Sequence, residues 1–471
     1  MNHIKKISVI QAFAASCAVA QTVPAVNLEL KEGEGYSNVF ENRTINDSAA
    51  WAPVSINVWD KWSHYEEWYD ESDPEYVPPT PQTGSVSIAL ESSEFFGGQS
   101  FVQTNGANAT IGFSVDAASR TDDGASLSSF GKITFSNAGR VGVMSDGTLN
   151  SSSNGLSLGP GSSVEIDNTG TIYGRSTAVS VSPSFQYVNE ETPWLPASGD
   201  MSVKITNGKD GVIASSTGAD GIIVRGNYGY DSIVEIVNDG VISNAYGTSS
   251  RIAPMAGYFG AAVNIDGNVT GGFIINRGVV SGNVAFQIDG KNILLDLRQG
   301  SAVTGSIVMQ AYANNTLKLN DVRHVVTNGS VKISSDMSPY SADSNTLSIS
   351  AANASQYGSI YIDGAGSMDI TGVVLDFDAS GAMLAIGDIL TILEIGDLSE
   401  SENGIVGTFL GLADNAEFSS GYYTFRINYL GESVTDRVTL EVIGSNVPEP
   451  AAVAAVLGAA ALASAAYRRR K

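Results

Sequence analysis

From about residue 84 to residue 330 the chain alternates apolar and polar positions with a period of two, in runs of five to seven residues. Ile133-Thr-Phe135, Val164-Glu-Ile166, Val203-Lys-Ile205 and Val234-Glu-Ile236 are the clearest runs. Period-two alternation with β-branched residues predicts strands that bury one face. Each run ends on Asn, with Gly two residues later and a further β-branched pair beyond. The copies are Asn137 with Gly139, Asn168 with Gly170, Asn207 with a displaced Gly211, Asn238 with Gly240, and Asn276 with Gly278. Between copies lies another short alternating run: Gly155–Leu158, Ala178–Val181, Gly221–Val224 or Ala262–Ile265. Each unit therefore predicts about three short strands separated by turns, with no helical period to make βαβ crossovers.

The Asn positions lie 31, 39, 31 and 38 residues apart. A unit repeated at such a period, unable to bury its own apolar face, predicts strands stacked in parallel from coil to coil, a β-solenoid. An antiparallel sandwich is the alternative reading of the same strands. In the solenoid the Asn is expected to take a left-handed turn conformation and to bond the equivalent Asn of the next coil through its amide. The Gly is expected to free the chain to start the next face. The two long spacings mark insertions at Pro183–Asp200 and Asn244–Phe259, and such projecting loops are where a solenoid usually binds.

The NxGxI motif with alternating apolar neighbours, over roughly 84–330, resembles the right-handed parallel β-helix of autotransporter passengers and related adhesins. That resemblance implies an all-β fold, a right-handed parallel β-helix, with a surface role. The segments Tyr357–Gly366, Gly387–Leu393, Gly404–Phe409 and Tyr423–Leu440 read as antiparallel strands, an all-β cap over residues 331–446. The outer-membrane barrel of autotransporters has no counterpart in the sequence, so self-transport is not expected.

Both ends carry address-like segments. Lys5 and Lys6 precede an apolar run, Ile7–Ala20, that closes on Ala18-Val19-Ala20, the pattern of a Sec signal peptide cleaved after Ala20. Cys17 within it leaves a lipidation site as the variant reading. At the other end Val447-Pro448-Glu449-Pro450 leads into sixteen small or apolar residues, Ala451–Ala466, ten of them Ala, and then Tyr467 and Arg468-Arg469-Arg470-Lys471. A helix of that length reaches roughly 24 Å, short of a hydrocarbon core of roughly 30 Å, so it predicts a weak, transient membrane helix held by its basic end. A plain C-terminal anchor is the alternative.

The tripartite tail, with Pro448, Glu449 and Pro450 as its motif and Arg468, Arg469 and Arg470 in its basic cluster, resembles the PEP-CTERM sorting signal of Gram-negative bacteria. The resemblance implies an inner-membrane intermediate, processing by exosortase near the motif, and delivery to the cell surface or to an exopolysaccharide matrix. The partners it implies are the Sec machinery and exosortase. It covers residues 447–471 and carries sorting, not activity.

Charge narrows the functions further. The 471 residues hold 25 Lys and Arg against 49 Asp and Glu, and six of the basic residues lie in the two terminal segments. So acidic a body repels nucleic acid and anionic lipid, and neither is an expected partner. One Cys and three His leave no material for a thiolate or imidazole metal cage. The one place rich in candidate binding chemistry is residues 51–80, within an N-terminal cap over 21–83. There Trp59, Trp62, Trp68 and Tyr69 stand among Glu66, Glu67, Asp70, Glu71, Asp73 and Glu75. Aromatic faces beside carboxylates stack sugars, so exopolysaccharide or host glycans are candidate ligands, and the acidic 66–75 loop is a candidate Ca²⁺ site. A shield over the first coil explains the same residues without a ligand.

No catalytic residues are assigned and no cofactor beyond that Ca²⁺ is expected. Asp122-Asp123 is an acid pair without a facing partner, and His324 stands alone. The expected class is a structural or adhesive exported protein rather than an enzyme. A polysaccharide lyase or hydrolase on the same scaffold is the alternative.

Overall fold

The computed structural model describes strand segments between residues 26 and 104. It then describes residues 110–446 except most of 116–123, the segments 144–153, 184–198, 245–259, 336–343, 397–403 and 432–434, and positions 130, 217, 312, 321 and 365. Beyond 446 it describes Ser464 and Arg468 only. Among the described residues, every regular element from Val26 to Ser445 is a strand.

The strands form long parallel stacks, three strands to a coil. On the first face Thr110–Val115, Lys132–Asn137, Ser163–Asn168, Met201–Asn207, Ser232–Asn238, Gly271–Asn276 and Ile293–Leu297 pair in parallel in that order. Arg140–Val141, Thr171–Gly174, Val212–Ser215 and Val241–Ser243 stack as the second face. Ala125–Ser129, Asn154–Pro160, Thr177–Val181, Asp220–Val224 and Ala261–Ile265 stack as the third. The protein is thus an all-β chain built as a parallel β-solenoid.

Alternation decides which side of each strand faces in. Residue for residue, Phe113, Phe135, Ile166, Ile205, Ile236, Ile274, Leu295 and Leu317 form one inward column of the first face. Val141, Ile172, Ile213, Ile242 and Val280 form the matching column of the second face. All of these side chains are buried, and each contributes about 1.5–3 kcal/mol by leaving water. Phe113 and Phe135 stack with ring centroids 5.6 Å apart.

The parallel stack extends beyond 84–330 in both directions. Val26–Leu28, Arg43–Asp47 and Ser85–Leu90 continue the first face toward the N-terminus. Toward the C-terminus, Thr346–Asn353 and Val374–Asp378 continue it.

The expectation of antiparallel strands throughout 357–440 is corrected. Ser359–Asp363 pairs in parallel on both sides, and Ile405–Val406 is parallel to Met368–Asp369. Antiparallel pairing among the described residues is confined to the short Gln356–Tyr357 strand against Thr346–Asn353 and to the last elements: Glu417–Ser420, Tyr423–Leu430, Arg437–Ser445, and Ile389–Ile395 against Arg437–Ser445. Period two fixes which side chains face in but not strand direction, and these coils share the period of the others. The antiparallel hairpin closes the final coil. Phe425 meets Phe377 edge-on at 5.0 Å, and Phe418 stacks on Phe425 at 5.6 Å.

Candidate functional site

The repeat Asn residues assemble as an inward column. Asn137, Asn168, Asn207, Asn238 and Asn276 are aligned in register and all are at most 2 % exposed. Each Nδ2 donates to the Oδ1 of the next Asn at 2.8 Å, and Asn276 ends the series on Ser301 Oγ at 2.8 Å. The same amides reach backbone carbonyls at the corner, as Asn207 does to Gly211 and Val241 at 3.2 Å each. The column is apolar on either side of the five, with Val115 before and Leu297, Leu319 and Ile349 after. It is an internal scaffold with no opening for a ligand.

Two local expectations for this motif are corrected. The non-glycine residues with positive φ are Asn292, Asn314, Asn328 and Asn415, so the column Asn residues are not left-handed. They sit at the ends of extended strands, and the amide rather than the backbone makes the turn bond. Nor do Gly170, Gly240 and Gly278 have positive φ. They are required because coils touch: a Cβ on each would run into the carbonyl oxygen of Gly139, Gly211 and Gly240 respectively. A buried pair that the motif search missed, Asn315 and Asn345, caps the later coils. Asn315 Oδ1 accepts from Ile293 N at 2.8 Å and Asn345 Oδ1 from Asn315 N at 2.9 Å.

The register shows where the loops leave the solenoid. Ser163–Asn168 pairs position for position with Ser202–Asn207, so the longer spacing there leaves the register of the first face unchanged. Segments 184–198 and 336–343 join the third face to the first, and 144–153, 245–259 and 397–403 join the second to the third. The corner between first and second faces, where the Asn column runs, stays tight from Asn137 to Arg140.

Two of the exposed aromatic side chains among the described residues lie together at one of these corners, a pair that the sequence reading does not single out. Tyr228 is 81 % exposed and Tyr230 37 %. Their loop is tied to the base of the 184–198 insertion by Asn227 Nδ2 donating to Gly199 O at 3.0 Å and Asp231 N donating to Asp200 Oδ1 at 3.1 Å. Thr270 Oγ1 lies 3.3 Å from Asp231 Oδ1. Two open phenol rings beside Asp200 and Asp231 offer stacking and hydroxyl-bonding groups of the kind that hold sugars. The signal was present in Asn227-Tyr-Gly-Tyr-Asp231, a small copy of the aromatic and acidic mixture at 59–70.

Two clefts lie further along. One, of about 410 Å³, is lined by Arg323, Tyr361, Glu394, Asp436 and Arg437. Its charges are engaged with each other: Arg323 Nη2 reaches Glu394 Oε2 at 2.9 Å while its guanidinium lies 4.0 Å over the Tyr361 ring. The second, of about 580 Å³, is bordered by Lys332, Ser334, Ser335, Asp369 and Thr371. Among the described residues no three His, Cys, Asp or Glu side chains gather as metal ligands.

Trp59, Trp62, Trp68 and Tyr69, the 66–75 loop, Asp122 and Asp123, Ala18 and Ala20, and Pro448, Glu449 and Pro450 lie outside the described residues, as do Arg469 and Arg470; Arg468 is exposed. Among the described residues no helix is long and apolar enough to cross a membrane. No family model matches the chain, and no curated protein matches it.

His324 sits in the core, 3 % exposed, with Nε2 lacking any hydrogen-bond partner. Burial lowers its pKa from 6.5 to about 4, against a small opposing pull from the buried carboxylate of Asp296. Between those two values the unfolded chain binds a proton that the folded chain does not, so stability falls as pH drops from about 6.5 to about 4 and then levels. The loss expected from this residue is about 3 kcal/mol. Urea midpoints at neutral and mildly acidic pH should move apart in the native protein and draw together in His324→Leu. An equal acid loss in the variant would assign it to other groups.

Proposed function

We propose that the protein is an exported surface or matrix component of a Gram-negative bacterium, with a structural and adhesive role. In this reading the parallel solenoid winds right-handed, as parallel crossovers do. It is an acidic rod that presents loops at two of its three corners. A signal peptide ending at Ala20 and the Sec machinery take the chain across the inner membrane. The apolar tail then holds it there until an exosortase-type protease cuts near Pro448-Glu449-Pro450.

One observation supports this reading above others. The stacked coils absorb insertions of different length without change of register, so the body is a stiff support for variable loops. Exposed Tyr228 and Tyr230 at one such corner favour exopolysaccharide or host glycans as what those loops touch.

The test is the mass of the C-terminal peptide of the protein recovered from its own cells, taken with fractionation. A terminus near Pro450 in the surface or medium fraction is the expected result. An intact Lys471 confined to the inner membrane would replace the reading with a permanently anchored, periplasm-facing protein.

A further inference from the structure

Among the described residues, several of the most exposed apolar side chains lie at the C-terminal end of the solenoid. Met383 is 79 % exposed, Ile386 66 %, Ile389 60 % and Tyr422 52 %. Large apolar groups gathered at this exposure mark a contact surface rather than ordinary surface scatter. Backbone bonds bring them to one place. Gly387 N donates to Val442 O at 2.8 Å and Val442 N to Asp388 O at 2.9 Å, which lays segment 382–389 along the final strand. Tyr423 Oη ties down the same segment, donating to Ala382 O at 2.9 Å and accepting from Leu384 N at 3.1 Å.

The final strand, Arg437–Ser445, leaves the body here. Asn446 N donates to Tyr422 O at 2.7 Å, so the chain departs beside this cluster. Only residues 447–450 separate Asn446 from the apolar run that begins at Ala451. Five Cα-to-Cα steps, from Asn446 to Ala451, span at most about 18 Å. Whatever medium receives the apolar run therefore begins within about that distance of Asn446, which is bonded to Tyr422 O at the end of the strand along which segment 382–389 lies.

We propose that this end of the solenoid rests on the bilayer interface, with Met383, Ile386, Ile389 and Tyr422 immersed at headgroup depth while the tail is inserted. The proposal rests on the reading of the tail as a membrane segment. Isoleucine and methionine supply apolar area, and a tyrosine at headgroup level keeps its hydroxyl in water. The charges beside them are mostly acidic: Asp388 lies between Ile386 and Ile389 with its carboxylate accepting from Ala385 N at 2.7 Å, Glu441 is directly opposite Ile389, and Arg426 is held between Glu417 and Glu441. An acidic body favours zwitterionic over anionic lipid. The short, Ala-rich tail is a weak anchor alone, and a second apolar contact beside it is the usual requirement for holding a protein at a membrane.

The test uses the chain from Gln21 to Lys471, which lacks the N-terminal apolar run and holds no cysteine of its own, with an environment-sensitive fluorophore placed on Ile386→Cys or, as a distant exposed control, on Tyr228→Cys. Flotation with phosphatidylcholine vesicles reports the tail, and the label reports the cluster. The expected result is flotation, a blue shift and lipid quenching at 386, and no change at 228. Met383→Ser with Ile386→Ser should weaken vesicle binding roughly tenfold. Flotation with a fully aqueous label at 386 would overturn the proposal and leave the tail reading standing. Failure to float would overturn both. A blue shift at 386 without vesicles would give the surface to another occupant and overturn the proposal, to a second copy if it grows with protein concentration and to the chain's own tail if it does not.

Discussion

Gly240→Ala is expected to destabilise the protein by about 3 kcal/mol, although it adds one methyl group. The reason lies between coils. A Cβ at this position would collide with the carbonyl oxygens of Gly211 and Gly208 and sit 2.9 Å from Asn207 Nδ2. The first two obstacles are backbone, fixed by Val241 N donating to Gly211 O at 2.9 Å and Gly211 N to Gly208 O at 2.8 Å. No rotamer change relieves them, so the coils must separate. Solenoid stability is approximately a sum of coil and interface contributions, and one weakened interface can divide the array into two cooperative units. Urea unfolding of Gly240→Ala should show a lowered midpoint and a broader or split transition. Gly229→Ala is the control: its φ of 82° strains any side chain, but nothing lies within 4 Å of the added carbon. That variant should lose only about 1 kcal/mol, from conformation alone. A loss at Gly240 no larger than that at Gly229 would mean that the coils separate at little cost and that their close contact is not why the motif carries glycine.

The same distinction separates what was legible in the sequence from what was not. Alternation from Ile133 to Ile236 and the recurrence of Asn placed the strands, their inward faces and the amide ladder, because those features depend on side-chain chemistry at a fixed period. The purpose of Gly170, Gly240 and Gly278 was not legible, since it depends on how near one coil's backbone comes to the next. The later coils were also hidden. From the column position at Leu297 onward the Asn is replaced by Leu or Ile, and the register partners Leu294 and Thr316 are only 22 residues apart, so the motif search lost its marker. Parallel and antiparallel pairings then looked alike over 357–409. Of the candidate binding chemistry, the aromatic and acidic mixture was recognised where tryptophan made it conspicuous, and Tyr228 with Tyr230 was passed over. His324 reads as a lone histidine, and only the fold shows that it is buried and feels the charge of Asp296.

The ladder itself makes a position-dependent prediction. Asn207→Leu should cost about 2–4 kcal/mol, and Asn276→Leu measurably less. Both replace a buried amide by an apolar side chain that the column accepts elsewhere, at Leu297 and Leu319. The difference is in what is left unpaired. Asn207 accepts from Asn168 Nδ2 and donates to Asn238 Oδ1, so its loss leaves Asn168 Nδ2 with the carbonyls of Gly170 at 3.1 Å and Val212 at 3.4 Å but strips the buried Asn238 Oδ1 of its donor. Asn276 has an Asn on one side only. Its loss leaves Asn238 Nδ2 with Val279 O at 3.3 Å and moves the boundary between amide and apolar column by a single coil. Ser301 Oγ, the group at which the ladder ends, is a hydroxyl that can rotate to another partner. Denaturation midpoints of the two variants, with amide exchange along the flanking strands, decide the matter. A larger loss at the end of the ladder than at its centre would show that each Asn acts through its own corner carbonyls and that the chain of amides adds nothing. The expected order instead makes the five residues one continuous hydrogen-bonded unit, in which a break inside is worse than a shortening at the end.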